Sequence, residues 1–375
     1  MFDSTQLESA YSRRLDKVQT EMKNQGVDAL VLSLGADLPW LTGYTAMPLE
    51  RLTALVVPKD ATPTLVIPIL EAPRVKVIDS IFKIKPWKEF EDPHDLVVEL
   101  VSSCNTVGIS DRTWAISLIK LQTRSKARFV PASKVTRMLR SVKDAFEIEM
   151  LTEAALRTDK VAEALLSGEI KMIGRTELEV SQEISDRLLK EGLSRVNFSI
   201  VGSGANSASP HHEPGARIIG PHEAVVCDFG GQFQVEGSAG YCSDTTRTVA
   251  TGEMPERFNE LYSILKTAQQ RQLSSVKEGL SCQALDQIGR SHIEECGYGD
   301  YFIHRTGHGI GIEEHEDPYI VAGNLEQIQA GQAFSVEPGI YISSLYGARI
   351  EDIVIATEQG AEILNHSDRS LHFVS

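Results

Sequence analysis

Five side chains in the second half of the chain could bind metal ions: Asp228, Asp244, His308, Glu337 and Glu351. A set dominated by carboxylates, with one imidazole, matches the preference of hard divalent cations such as Mn²⁺ for oxygen ligands. A carboxylate can also bridge two ions, so the set suits two neighbouring cations. The residue types therefore predict a dinuclear metal enzyme rather than a binding module.

The first two acids lie in segments that resemble strands. Asp228 follows the apolar run 225–227 and precedes two glycines, which leave room beside it. Asp244 lies within 241–248, a segment rich in β-branched residues. A carboxylate inside a strand is unfavourable unless a cation or hydrogen bonds compensate its charge. Asp244 is therefore predicted to have such a partner.

The last two acids repeat this pattern. Glu337 ends an apolar run and precedes Pro338 and Gly339, which stop a strand and permit a sharp turn. In the strand that follows, the two-residue period places Arg349 and Glu351 on one face. We expect that face to look toward the metal ions.

His308 lies in a glycine-rich segment, 307–311, which excludes a stable helix. The segment is therefore not a metalloprotease helix with two histidines four residues apart. His315 follows seven residues later. A straight strand would point the two rings to opposite faces, so both can border one site only if the chain bends between them. We expect a structural or pocket-lining role for His304, and a solvated or supporting role for the acids 313, 314 and 316.

Taken together, these segments resemble the pita-bread metallopeptidases, the family of methionine aminopeptidase, aminopeptidase P and prolidase. The resemblance is strongest to the Xaa-Pro peptidase branch. The matching stretches are 210–212, 228–230, 240–248, 304–315, 336–339 and 347–352. One stretch alone would be a weak match, but all of them in order are specific. The stretch 38–44 is also similar to the creatinase-like N-terminal domain of that branch.

The resemblance implies a role for each metal ligand. Asp228 would bind one ion, Asp244 and Glu351 would bridge both ions, and His308 and Glu337 would hold the other.

One departure from the family lies between the first two ligands. Sixteen positions separate Asp228 from Asp244, a longer gap than is usual in the family. The turn-forming residues 235–240 predict a longer hairpin loop, which would leave the ligands paired.

The resemblance also implies residues on the substrate side of the metals. His211 and His315 would stabilise the oxyanion or hold the substrate, with the neighbouring His212 as the main alternative to His211. Glu337 would shuttle the proton. Arg349 would orient the carboxylates or bind a substrate carboxylate by bidentate contact. No cofactor beyond the metals is implied.

Two bound cations can lower the pKa of a water and so favour hydrolysis of a peptide bond. Mn²⁺ is the expected ion, with Co²⁺ or Zn²⁺ as alternatives. The chain length of 375 residues is nearer to prolidase-type dipeptidases than to the longer aminopeptidases P, so we expect Xaa-Pro dipeptides as substrates. Alternatives are an aminopeptidase P that acts on longer Xaa-Pro peptides, a non-catalytic pita-bread binding protein and a creatinase-like amidinohydrolase. A degenerate relative would be expected to have lost at least one of the five ligands.

Composition restricts the partners. A net charge of −15 argues against nucleic acid and anionic membranes. No apolar stretch reaches the ~20 residues of a membrane helix. The five cysteines lack any CxxC spacing, which favours reduced thiols in a cytoplasmic protein. The expected partner is a small peptide substrate, and the resemblance suggests a homodimer.

The pattern divides the chain into two domains. Residues 1–140 alternate a helix at 11–25 with strands at 29–32, 54–57 and 64–67, which predicts an α/β creatinase-like domain. Residues 141–375 would form the α+β pita-bread catalytic domain. Its first helices are expected from about residue 144 and over 176–190, the second with a capping box.

Overall fold

The computed structural model describes residues 4–375 and contains two compact units. The first unit ends at Arg140 and also includes Val235–Ala239, and the second comprises Ser141–Gln234 and Gly240–Ser375. Within the first unit, the hydroxyl of Tyr11 donates a hydrogen bond to the carbonyl of Gly237 (2.9 Å). The predicted boundary near residue 140 assigns residues 235–239 to the second domain, whereas in the structure this segment belongs to the first unit.

The first unit is built on a mixed sheet with strand order β4-β3-β2-β1-β5-β6. The pairs β1-β5, β5-β6 and β3-β4 are parallel, whereas β2 is antiparallel to both β1 and β3. The strands are β1 (Ala29–Leu32), β2 (Ala54–Pro58), β3 (Thr64–Pro68), β4 (Lys83–Trp87), β5 (Thr106–Ile109) and β6 (Arg128–Pro131). The helices are α1 (Ser4–Gln25), α2 (Asp37–Thr42), α3 (Pro93–Leu100), α4 (Ala115–Arg124) and α5 (Ser133–Ser141).

Helix α1 begins at Ser4, earlier than the predicted start at residue 11. Leu7, Ala10 and Tyr11 are all buried, and they continue the helical spacing of Val18 toward the N-terminus. The predicted end is confirmed at Gln25, followed by Gly26 with φ +66°. Glycine adopts this left-handed conformation without strain.

The second unit combines helices with mainly antiparallel sheets. Its helices are α6 (Ala145–Leu166), α7 (Glu177–Lys190), α8 (Glu256–Ser275) and α9 (Cys282–Glu295). Its first strands are β7 (Arg195–Ser203), β8 (Ala224–Phe233), β9 (Tyr241–Cys242) and β10 (Thr245–Ala250). Then follow β11 (Gly307–Gly309), β12 (Glu316–Ile320), β13 (Ala333–Val336), β14 (Gly339–Ile342), β15 (Tyr346–Arg349), β16 (Asp352–Ala356), β17 (Ala361–Ile363) and β18 (His372–Phe373).

These strands form two main sheets and a hairpin within the described residues 4–375. One sheet has the order β18-β10-β8-β7, with β9 paired to β8, and the other has the order β12-β11-β13-β16-β17. The hairpin is β14-β15. Strands β8 and β9 flank residues 234–240, so this segment is a hairpin loop, as predicted.

The first two helices of the second unit begin with reciprocal caps. Asp144 and Glu147 form a capping box at α6, and Thr176 and Glu179 form one at α7. Each box satisfies backbone N–H groups that a helix start leaves unpaired, which stabilises a helix by about 1 kcal/mol. The predicted capping box at α7 is confirmed.

A buried ion pair connects strands β10 and β16. Arg247 Nη2 lies 2.8 Å from Asp352 Oδ1, and both side chains are 0% exposed. Asp352 also accepts hydrogen bonds from Gln269 and Arg369. A buried charge is tolerated only when it is paired and hydrogen-bonded, so this network holds the two strands together. Strand β10 starts next to Asp244, and β16 starts next to Glu351.

Among the helices formed by residues 4–375, none combines the length and the apolar character needed to cross a membrane.

Candidate metal centre and active site

The five predicted ligands all lie at or beside strands of the second unit. Asp228 is in the middle of β8, and Asp244 immediately precedes β10. His308 is the central residue of β11, and Glu337 directly follows β13. Glu351 lies between β15 and β16, where it forms a β-bridge to Thr246 of β10.

The register of the strands brings these side chains together. Thr246 pairs with Asp228 on one side and with Glu351 on the other, so these two acids flank β10 two residues from Asp244. Asp244, His308 and Glu351 each offer a ligand atom, and these atoms lie within 4.8 Å of one another. Nε2 of His308 is 3.3 Å from Oε1 of Glu337 and 3.8 Å from Oδ2 of Asp244.

Three carboxylates of this cluster have an oxygen without a donor. Within residues 4–375, no hydrogen bond reaches Oδ1 of Asp228, Oδ1 of Asp244 or Oε1 of Glu351, although all three atoms are buried. A buried, unpaired carboxylate oxygen is costly, and a bound cation is the usual compensation. These carboxylate oxygens, together with the imidazole of His308, therefore fit as ligands of divalent metal ions.

The electrostatics of the cluster agree with this reading. Burial, and then the charges of Glu351 and Asp228, hold the pKa of Asp244 well above its usual range. Burial and the charges of Glu337 and Asp228 do the same to the pKa of Glu351. Burial also raises the pKa of Glu337 to about 7. Carboxylates packed this closely repel one another until a cation neutralises them.

His308 is oriented as a metal-binding imidazole. Its Nδ1 lies 3.1 Å from the carbonyl of Gly309, to which it donates a hydrogen bond, and this leaves the lone pair of Nε2 directed at the carboxylates. Its backbone N–H donates to the hydroxyl of Ser335 (3.0 Å). Burial lowers the pKa of His308 to about 3, so the ring is neutral, as a metal ligand must be.

A cavity of about 680 Å³ opens over the cluster. Besides the four acids and the imidazole described above, its wall contains apolar, polar, basic and acidic side chains: Phe198, Ile200, Ser209, Pro210, His211, Ile303, His304, Arg305, Glu314, His315 and Arg349. This volume is typical of a small-molecule site.

The two candidate histidines in 210–212 have different surroundings. His211 is exposed and lines the cavity. His212 instead lies with its Nε2 2.7 Å from the buried carboxylate of Glu177 at the start of α7. Glu177 also accepts hydrogen bonds from the backbone and hydroxyl of Ser203. The geometry therefore favours His211 for contact with a substrate and His212 for anchoring the segment.

His315 lies beside the ligand His308. Their ring centroids are 4.0 Å apart at an interplanar angle of 58°. The chain does bend between them, because the pairing of β11 with β12 shifts register after His308 and residues 310–315 form no strand. Burial and the charges of Arg305 and His211 lower the pKa of His315, which keeps its imidazole neutral near pH 7.

The guanidinium of Arg349 forms hydrogen bonds with one predicted metal ligand and with three neighbouring residues. Its Nη2 donates to Oδ2 of Asp228 (2.6 Å), and its Nε donates to the hydroxyl of Thr246 (3.0 Å). Its Nη1 donates to the hydroxyl of Tyr341 (2.7 Å) and to the carbonyl of Pro210 (3.3 Å). These contacts support the first of its two predicted roles, orientation of the carboxylates. They leave little donor capacity for a substrate carboxylate.

Several supporting residues were not anticipated from the sequence. The hydroxyl of Thr246 donates to Oε2 of Glu351 (2.7 Å), and the hydroxyl of Ser335 donates to Oε1 of Glu337 (3.1 Å). Thr246 lies two residues from Asp244, and Ser335 lies two residues from Glu337, so the two-residue period of a strand was the available signal. Glu316, predicted to be solvated or supporting, is buried and pairs with the buried Lys143.

Two family models match the chain. The model described as Creatinase/Prolidase N-terminal domain matches residues 14–142, and the model of metallopeptidase family M24 matches residues 149–358.

Relatives match over nearly the whole length. The "Probable dipeptidase PepE" of Mycobacterium tuberculosis is 38% identical over 96% of each chain. The crystal structure of dipeptidase PepE from Mycobacterium ulcerans superposes with a TM-score of 0.91 at 38% identity, covering 98% of each chain. That of a prolidase from Thermococcus sibiricus gives a TM-score of 0.90 at 34% identity, covering 97% of this chain and 99% of the other.

Fold, site and comparisons therefore define the class of this protein. The chain belongs to metallopeptidase family M24, with a creatinase-type N-terminal domain in front of the pita-bread catalytic domain. It is a hydrolase of peptide bonds that depends on divalent metal. The predicted family, fold class and enzyme class are confirmed.

Proposed function

We propose that this protein hydrolyses Xaa-Pro dipeptides at a centre of two divalent ions, with Mn²⁺ as the native metal. The observation that carries the proposal is the convergence of four carboxylates and one imidazole. Three of these carboxylates have a buried oxygen that receives no hydrogen bond within residues 4–375. Oxygen-rich ligand sets of this kind suit Mn²⁺, and Co²⁺ or Zn²⁺ are the alternatives.

The ligands divide between the two ions according to their neighbours. His308 and Glu337 lie side by side and would hold one ion. Asp228 lies on the side of Arg349 and would bind the other. The charges of Asp228 and Glu337 both act on Asp244 and on Glu351, and these two acids would bridge both ions. This division rests on the family resemblance, and the contacts of His308 with Glu337 and of Arg349 with Asp228 support it.

When bound, the two ions would lower the pKa of a water and polarise the scissile carbonyl. Glu337 is placed to move the proton, because Ser335 occupies only its Oε1 among the described residues and its side chain is 14% exposed toward the cavity. The rings of His315 and His211, both exposed in the wall, would donate hydrogen bonds to the oxyanion. Arg349 would hold Asp228 in place.

The cavity wall suits a substrate with a small apolar residue at the scissile bond. Phe198, Ile200, Pro210 and Ile303 form apolar surface beside the metal cluster. Proline lacks a backbone N–H and has a fixed φ, so a pocket that packs on its ring loses no hydrogen bond. Together with the dipeptidase and prolidase relatives, this wall favours an Xaa-Pro bond.

Substrate length separates the two enzymatic alternatives. We expect Mn²⁺-loaded protein to cleave an Xaa-Pro dipeptide with a higher kcat/KM than the matching Xaa-Pro-Yaa tripeptide. The measurement is a panel of such pairs, assayed in parallel with Mn²⁺, Co²⁺ and Zn²⁺. Higher kcat/KM values for the tripeptides would make the protein an aminopeptidase P. Failure to cleave any Xaa-Pro bond, while other dipeptides are cleaved, would reject proline specificity.

Assembly and location remain predictions. The resemblance favours a homodimer, which sedimentation analysis would test. A cytoplasmic location rests on the cysteine pattern, and all five cysteines are free in the structure.

A further inference from the structure

We infer that Arg305 binds the free C-terminal carboxylate of the substrate and thereby makes the enzyme a dipeptidase. This inference rests on the proposed function, because it names the group that would read the end of the peptide. Arg305 lies two residues before the ligand strand β11 and lines the cavity over the metal cluster.

Two guanidinium groups line this cavity among the residues described. That of Arg349 is buried and already donates to Asp228, Thr246, Tyr341 and Pro210. A substrate carboxylate would have to displace one of these partners, and one of them is a metal ligand. The guanidinium of Arg305 is therefore better suited to bind the substrate carboxylate.

Arg305 is half-buried, and its charge is not compensated. Within residues 4–375, no carboxylate forms an ion pair with its guanidinium, and no acceptor forms a hydrogen bond with it. Its charge reaches the metal site, since it contributes to the lowered pKa values of His308 and His315. A cation without a partner in a substrate cavity is a natural anion site.

The guanidinium is held in position without using its donors. It stacks on the ring of Tyr319 in the adjacent strand β12, with Cζ 4.5 Å from the ring centroid. Stacking fixes the plane of the fork and leaves its N–H groups free along the edge. The side chain is therefore arranged for a bidentate contact before a ligand arrives.

The backbone of Arg305 is also fixed. Its carbonyl accepts a hydrogen bond from Nδ1 of His304 (2.7 Å), and Nε2 of the same ring lies 3.0 Å from the hydroxyl of Tyr341. Arg349 donates to that hydroxyl, so a chain of hydrogen bonds connects the metal ligand Asp228 to the backbone of Arg305. Burial lowers the pKa of His304 to about 3, which keeps the ring neutral and able to act as both donor and acceptor.

The charges of the wall match a zwitterion. Glu314 also lines the cavity, and within the described part of the chain its carboxylate has no hydrogen bond or ion pair either, including with Arg305. A dipeptide carries an ammonium at one end and a carboxylate at the other, so both unpaired charges can be satisfied by one small substrate. A longer peptide places its carboxylate elsewhere and leaves Arg305 without a partner.

The test compares a dipeptide with its own C-terminal amide on Mn²⁺-loaded protein. The variants are Arg305→Met, Arg305→Lys and, as a matched control, Arg157→Met. Arg157 stacks on Phe233 with Cζ 4.0 Å from the ring centroid and does not line the cavity. For each variant, KM and kcat are measured for Ala-Pro and for Ala-Pro amide, and proline and prolinamide are compared as competitive inhibitors.

We expect Arg305→Met to lower the ratio of kcat/KM for Ala-Pro to that for the amide by about 10- to 100-fold, mainly through KM. Proline should lose its advantage over prolinamide as an inhibitor to a similar extent. Arg305→Lys should give an intermediate ratio, because a lysine keeps the charge but not the planar fork. Arg157→Met should leave the ratio at the wild-type value.

Two negative results can be told apart. Equal losses for the dipeptide and the amide, or an unchanged ratio in Arg305→Met, would overturn the role of Arg305 while Xaa-Pro cleavage by the wild type upholds the proposed function. If the wild type cleaves neither Ala-Pro nor its amide but does cleave other dipeptides, the proposed function fails. In that case the same three variants are assayed on the dipeptide that is cleaved and on its amide, and an unchanged ratio in Arg305→Met again rejects the carboxylate site.

Discussion

Replacement of Asp244 or Glu351 with alanine should abolish peptide hydrolysis and lower the metal content below two ions per chain. Both side chains lie within the ligand cluster, and each has a buried oxygen that no donor reaches within residues 4–375. Loss of either would remove a bridge between the ions and leave an unbalanced charge. Metal analysis by mass spectrometry and assay of an Xaa-Pro dipeptide provide the measurement.

The stability of the metal-free protein distinguishes a ligand from a purely structural acid. Asp244→Asn should be no less stable than wild type after chelation, since the substitution removes a charge that faces Glu351 and Asp228. Added Mn²⁺ should raise the Tm of wild type but have little effect on that of the variant. The exposed Asp300 provides a matched control, because Asp300→Ala should keep wild-type metal content and activity. Full metal occupancy with normal rates in Asp244→Ala would refute the ligand assignment.

The second large effect is expected at His315. His315→Ala should lower kcat by about 10²-fold or more, the usual scale for a positioned hydrogen-bonding group at the reacting carbonyl. The ring lines the cavity, with its centroid 4.0 Å from that of the ligand His308, yet none of the described carboxylates pairs with it. Metal content should stay at the wild-type level, because the group acts on the substrate rather than on the ions.

His366 supplies the control for this experiment. Its side chain is exposed and outside the cavity, so His366→Ala should retain wild-type kcat. If His315→Ala instead loses metal, His315 supports or replaces His308 as a ligand. A change in KM alone, with kcat intact, would reduce His315 to a substrate-binding group.

Much of the site could be predicted because the ligands have strong local signals. Strand-like runs that end in an acid, such as 225–228 and 334–337, are unusual enough to indicate a bound cation. The strand 54–57 and the capping box at Thr176 were likewise readable from local pattern alone, and the structure contains both. Local propensity and burial agree in these segments, so sequence reasoning is dependable there.

Other features depend on contacts far apart in the sequence. The position of Thr246 between Asp228 and Glu351 follows from the pairing of three strands, which no local pattern fixes. The chain of hydrogen bonds from Arg349 through Tyr341 to His304 likewise requires the tertiary register.

Two further differences have the same origin. The segment 235–239 was correctly predicted as a loop, but its inclusion in the first compact unit could not be read from turn-forming residues. For Arg349, local pattern could not decide whether its partner is a metal ligand or the carboxylate of a substrate. Only the observed contacts show that its donors are occupied.

The most direct test of a dinuclear centre is reactivation of the chelated wild-type protein by stepwise addition of Mn²⁺. Hydrolysis of an Xaa-Pro dipeptide is followed at each step, and bound metal is counted in the same samples. We expect no turnover without metal and full turnover only when two ions are bound per chain. Full activity with one ion, or activity that survives complete removal of metal, would contradict the proposal.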